Sequence, residues 1–80
     1  MKELMPHVSI KLYPGRSEEQ KTQLTEAIGR ALLAHTNCRE DSISIAIEEI
    51  PPAEWGDVYK ADIADKWDKL YRKPGYEPPR

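Results

Sequence analysis

Two short alternating segments bracket one long helical segment with little chain between them, and this constrains the fold more than any other feature. In residues 7–13, Val8, Ile10 and Leu12 point one way and His7, Ser9 and Lys11 the other, the pattern of a strand with one apolar face. Pro14-Gly15 ends that strand. Ser17, with Gln20 three residues on, forms a capping box, and Glu18 and Glu19 suit the positive start of a helix. Leu24, Ala27, Ile28, Ala31, Leu32 and His35 then recur at helical spacing, which predicts one amphipathic helix over residues 18–34. Gly29 within it weakens the helix slightly and marks a place for close packing. Thr36, Asn37 and Cys38 break the pattern. Residues 43–47 alternate again and continue toward Ile50, where Pro51-Pro52 stops them.

A short turn carrying Trp55 and Gly56 follows, and a second helix is predicted over residues 60–71, with Ile63, Ala64, Trp67, Leu70 and Tyr71 on one side. Asp62/Lys66, Asp65/Lys69 and Asp68/Arg72 form acid-before-base pairs four residues apart on its wet side. Residues 73–80 read as an extended, proline-rich tail. Strand, helix and strand with short connections make a right-handed βαβ unit with parallel strands. Two parallel strands are not a stable sheet alone, and parallel sheets need cover on both faces. The expected fold class is therefore α/β: a β-α-β unit with parallel strands, a second C-terminal helix, and a sheet extended by self-association.

Bulk properties agree with a small chain that needs a copy of itself. Eighty residues make one small domain, and a chain this short buries only about 60% of the surface its unfolded form exposes. Cys38 is the only cysteine, so no intrachain disulfide forms and a reducing compartment is expected. No Cys/His spacing suggests a metal site, and no cofactor is expected. Twelve basic against fourteen acidic residues, a net charge of −2, argue against a nucleic-acid surface. No apolar run reaches membrane-spanning length and nothing at the N-terminus reads as a signal peptide, so no membrane partner and a cytoplasmic location are expected.

Met5-Pro6 is a second start-like dipeptide inside the written N-terminus. If translation begins at Met5 and that Met is trimmed, the protein starts with a free proline amine, a proton-transfer base that no side chain provides. Behind Met5, Pro6 is an amide without a basic nitrogen. Lys2-Glu3 can be encoded by a purine-rich stretch of the sort that bacterial ribosomes bind, so residues 1–5 are expected to be a leader or a wrongly assigned start. Residues 6–76 are expected to form a single domain, and 77–80 a tail.

Pro6 starting a short alternating strand, Pro14-Gly15-Arg16-Ser17-Glu18-Glu19-Gln20-Lys21 opening a long helix, the second strand Ser42-Ile43-Ser44-Ile45-Ala46-Ile47-Glu48-Glu49-Ile50, and Trp55 together resemble the 4-oxalocrotonate tautomerase family. The extra helix and the Lys73-Pro74-Gly75-Tyr76 ending resemble its longer, dimeric bacterial branch, which implies a dimer in preference to a hexamer. The resemblance covers Pro6 to Tyr76. It implies a cofactor-independent isomerase that interconverts enol and keto forms of a 2-oxo acid. Pro6 would be the general base through its nitrogen, Arg16 would bind the substrate carboxylate, and Trp55 would form an apolar wall of the substrate site. An α-amino group has a reference pKa near 7.7–8.0, and an apolar pocket or nearby cation leaves more of it neutral at pH 7.

There is one departure. Family members that handle dicarboxylate dienols carry an arginine in the second strand where this chain has Ser44. A monoacid with an apolar or aromatic body, such as phenylenolpyruvate, is expected over a muconate-type diacid. Each residue also has a plainer role: Pro6 as a strand-start proline, Arg16 as a solvated residue ahead of a helix, Trp55 as packing. His7 and His35 read as surface and helix-flank residues. The rival function is a non-catalytic, self-associating module of the same fold, with Pro6 blocked by residues 1–5. The expected mass of the native protein begins at Pro6; a mass beginning at Met1 ends the leader reading.

Overall fold

A computed structural model describes residues 5–78. They divide into two compact units, one running up to Glu49 and the other starting at Ile50.

The first unit is the βαβ unit. Strand β1 (His7–Leu12) leads into helix α1 (Glu18–His35), and a 3-10 turn (Glu40–Ser42) precedes strand β2 (Ser44–Glu49). The strands pair in parallel, His7 opposite Ser44 through to Leu12 opposite Glu49. Val8, Ile10, Leu12, Ile45 and Ile47 are half-buried, while His7, Ser9, Ser44, Ala46 and Glu48 are exposed. The period-2 alternation thus separates an apolar face from a polar one, as expected.

Helix α1 begins where its sequence says it should. Ser17 Oγ accepts from the Gln20 backbone N–H at 3.0 Å, and the Ser17 N–H donates to Gln20 Oε1 at 2.9 Å, so the capping box is complete. Gly15 has φ +124°, which a residue with a Cβ adopts only under strain, and it turns the chain between Pro14 and Arg16. At the other end the Thr36 N–H and hydroxyl both bond the Leu32 carbonyl, at 2.9 and 2.7 Å. The helix runs one residue past the expected end.

Lys21 ties the first turns of α1 to the end of the sheet. Its ammonium lies 2.7 Å from Glu18 and 3.5 Å from Glu49. The hydrogen bond to Glu18, aided by the charges of Glu18 and Glu49, raises the Lys21 pKa above its ordinary 10.5.

In the second unit, a 3-10 turn (Pro52–Glu54) leads into helix α2 (Trp55–Val58), which opens into a π-helical stretch (Tyr59–Ala64) and, later, a 3-10 turn (Trp67–Lys69). The helical segment therefore starts earlier and ends earlier than residues 60–71. Pro52 has no N–H to lose and fixes φ at a first-turn position, which suits a start here. The widened ladder explains the change at the far end. The Asp65 N–H bonds the Lys60 carbonyl at 2.9 Å, five residues back, so Lys60 meets Asp65 at 3.3 Å. Asp62 and Lys66 retain their expected spacing at 4.0 Å. The 3.6-residue stripe is lost, and Trp67 and Tyr71, expected on the apolar side, are exposed. Tyr59 is buried and meets the Tyr76 ring edge-on, with centroids 5.7 Å apart.

Among the described residues only Ile50 and Tyr59 are buried apolar side chains, and Leu24 and Leu33 on α1 are exposed. Full burial of a large aliphatic side chain contributes about 1.5–3 kcal/mol, so this thin core leaves much of that stabilisation unrealised. No helix among the described residues is long and apolar enough to cross a membrane.

Ser17→Ala is expected to destabilise the first unit by about 1 kcal/mol, read by urea unfolding at fixed protein concentration. The Lys21 pKa is raised by folding, so its contribution is fully present below the unfolded lysine value and is lost as pH rises through the folded value. Wild type should therefore lose more stability than Lys21→Met between pH 9 and pH 12; equal losses would contradict a role for that ammonium.

Candidate active site

Pro6 stands immediately ahead of β1 and is half-buried. Its carbonyl accepts from the Ser44 backbone N–H at 3.3 Å, which fixes it at the start of the ladder. One residue on, His7 and Ser44 are direct partners across the parallel pair, and His7 Nδ1 lies 2.7 Å from Ser44 Oγ. Pro6, His7 and Ser44 thus form one cluster at the beginning of the sheet. Met5, which turns the Pro6 nitrogen into an amide in this chain, is 78% exposed. Residues 1–4 of the expected leader lie outside the described residues.

Arg16 belongs to the opposite end. Leu12 and Glu49 close the ladder there, and the contact of Lys21 with Glu49 places the first turns of α1 beside them. Arg16 immediately precedes the Ser17 cap and is exposed. The strand between Pro6 and Arg16 has six residues, a rise of about 20 Å at 3.3 Å per residue. One chain therefore does not bring Pro6 and Arg16 together. Among the described residues nothing pairs with the Arg16 guanidinium, which leaves its forked donors open to a carboxylate.

Trp55 opens α2 in the second unit and is half-buried. Its indole N–H donates to the Tyr76 hydroxyl at 3.0 Å, and Tyr76 in turn meets the buried Tyr59. The indole ring is thus held by the tail, and its one polar atom is satisfied within the unit. Residues 73–78 carry no helix or strand, in keeping with an extended tail, and Tyr76 packs against Trp55 and Tyr59.

Two features escaped the sequence reading. His7 is exposed, as expected of a surface residue, but its hydrogen bond to Ser44 is not legible in the sequence, because the register that sets the two opposite each other is not written in either strand alone. The Tyr76 contact had a signal in the aromatic amid prolines, but no partner could be named for it. Among the described residues no group of three or more His, Cys, Asp or Glu side chains is placed to hold a metal ion.

Comparison with known proteins bears on the same residues. The family signature described as "Tautomerase enzyme" matches residues 6–62, beginning at Pro6. The chain is 40% identical over 73 residues to Tautomerase PptA from Escherichia coli strains, an alignment covering 90% of this chain and 95–97% of the relatives. Among solved structures, YwhB, a homologue of 4-oxalocrotonate tautomerase, matches with 37% identity and a TM-score of 0.56, over 57% of this chain and 75% of that one. SAR1376 from methicillin-resistant Staphylococcus aureus matches with 38% identity and a TM-score of 0.58, over 60% of this chain and 77% of that one. With the parallel βαβ unit, the capped α1 and a match that starts at the proline ahead of β1, this chain belongs to the tautomerase family.

Proposed function

We propose that the chain beginning at Pro6 is a cofactor-independent tautomerase, interconverting enol and keto forms of a 2-oxo monoacid such as phenylenolpyruvate. The observation that carries this reading is the family match opening at Pro6, the residue immediately ahead of the first strand. With its nitrogen free, Pro6 takes the enol hydroxyl proton; the C–O bond becomes a carbonyl as the electron pair of the C=C bond takes up a proton at carbon from the same nitrogen. One proton leaves oxygen and one arrives at carbon, so the step balances with no oxidant or co-reactant. Arg16 holds the carboxylate through paired N–H donors, and its charge beside Pro6 disfavours the ammonium form and keeps the base neutral. Trp55 supplies an apolar wall that excludes water. Ser44 carries no positive charge, which favours one carboxylate over two.

The length of β1 supports a site shared between two copies. Arg16 reaches Pro6 only from a second copy, and the chain has reasons to associate: the two-stranded sheet leaves both outer edges and its polar face unpaired among the described residues. Beside β2, an open hollow lined by Gly29, Leu33, Ile43 and Ile45 is rimmed by Glu26 and Arg30, charges that a two-fold axis can set against one another. A homodimer in the cytoplasm is the expected working form, without nucleic acid or membrane.

The test compares chains beginning at Pro6 and at Met1 for ketonisation of phenylenolpyruvate, followed by loss of enol absorbance. The chain beginning at Pro6 should be faster by about 10²–10⁴-fold, the usual worth of a positioned base. Arg16→Ala in that chain should lower kcat/KM by about 10- to 100-fold, as expected for a lost charged hydrogen bond. Clear preference for 2-hydroxymuconate would contradict the monoacid assignment. Equal rates from both chains would remove Pro6 as the base, and no rate in either, across several 2-oxo acids, would support the non-catalytic module.

A further inference from the structure

The His7–Ser44 pair links directly opposed residues of the two strands, a contact of small structural worth at an exposed position. Both side chains are exposed, and a hydrogen bond between two exposed groups adds little to stability because water replaces either partner. At 2.7 Å the bond is nevertheless at the short end of the normal range. It also sits beside the residue that matters most: the Ser44 N–H holds the Pro6 carbonyl at 3.3 Å while the Ser44 hydroxyl engages the ring of the next residue. The next pair on the same face is Ser9 opposite Ala46, two small residues that leave an open floor next to the hydroxyl. Lys11 opposite Glu48 brings the first charged pair of that face, two positions farther along.

We propose that Ser44 Oγ, oriented by His7 Nδ1, donates the hydrogen bond that holds the 2-oxygen of the substrate. This rests on the tautomerase reading above. An imidazole Nδ1 donates in one tautomer and in the charged ring, and accepts in the other tautomer. When it donates to Ser44, a serine lone pair is occupied and the hydroxyl proton is directed elsewhere. The 2-oxygen is where a donor is needed: as the enol proton passes to Pro6, negative charge builds on that oxygen before the carbonyl forms, and an oriented donor stabilises it. An arginine at this position would offer a full charge suited to a carboxylate. The serine–histidine pair offers a directed dipole suited to a carbonyl, which gives Ser44 a positive role in selecting the monoacid. Ser44 is the group that touches substrate; His7 is a positioning residue acting through it.

The experiment uses the full-length domain beginning at Pro6, with two readouts. In steady-state ketonisation of phenylenolpyruvate, Ser44→Ala should lower kcat by about 10- to 100-fold with KM changed less than about threefold, the signature of a contact made chiefly in the transition state. Ser44→Thr, which keeps the hydroxyl and suits a strand, should restore most of the rate. His7→Leu should mimic Ser44→Ala, and His7→Asn, which places an amide where Nδ1 stood, should recover activity. The double variant should be no worse than Ser44→Ala alone, since both changes break one unit. In the second readout, phenylpyruvate is titrated while imidazole nitrogen resonances are recorded by NMR; the His7 signal should move in wild type and not in Ser44→Ala, with His35 as the unaffected internal control. If wild type turns over, Ser44→Ala keeps kcat within about twofold and the His7 signal is still, the pair is overturned and the tautomerase reading stands. If the His7 signal moves but wild type does not turn over, the catalytic reading fails and the binding role stands.

Discussion

The parallel ladder between β1 and β2 places every residue of interest in the first unit. Its register sets His7 against Ser44 at one end and Leu12 against Glu49 at the other. Lys21, 3.5 Å from Glu49, places the first turns of α1 beside that end of the ladder. The same ladder is insufficient on its own: two strands half-bury one face, and among the described residues the other face is exposed and both outer edges are unpaired. Only Ile50 and Tyr59 are buried apolar side chains among the described residues, and this thin core is one ground for the association proposed above.

A dimer would answer both that incompleteness and the proposed chemistry. Pro6, the proposed base ahead of β1, and Arg16, the proposed carboxylate-binding group beyond its end, are separated by the strand that connects them. An isologous dimer inverts one chain relative to the other, so opposite ends of two chains can adjoin. On this account the dimer assembles the catalytic groups and covers the sheet at once. The polar cluster of Pro6, His7 and Ser44 stays within one chain because the ladder itself builds it.

Local rules were legible in the sequence wherever local physics decides. The capping box of Ser17 and Gln20, the strand alternation and the parallel βαβ unit all stand as expected, because each depends on near neighbours or on a strong chirality rule. The second helix was displaced because an i→i+5 ladder at Lys60–Asp65 breaks the 3.6-residue stripe, and the aromatic contacts of Tyr59 are invisible in a periodicity count. Of the candidate site, Pro6, Arg16 and Trp55 came from resemblance to a family. The distance between Pro6 and Arg16 and the facing of His7 and Ser44 required the register, which no single segment encodes.

Complementation between two impaired chains tests the shared site most directly. One chain begins at Met1, so its Pro6 nitrogen is an amide; the other begins at Pro6 and carries Arg16→Ala. Unfolded together and refolded in equal amounts, they should form mixed dimers in half of the population, each with one intact site, and recover about a quarter of the wild-type sites. Recovery to that level, absent when either chain is refolded alone, is the predicted result. Mixed dimers that form, as shown by native mass spectrometry, yet turn over phenylenolpyruvate no faster than the two parent chains would contradict a site built from Pro6 of one chain and Arg16 of another.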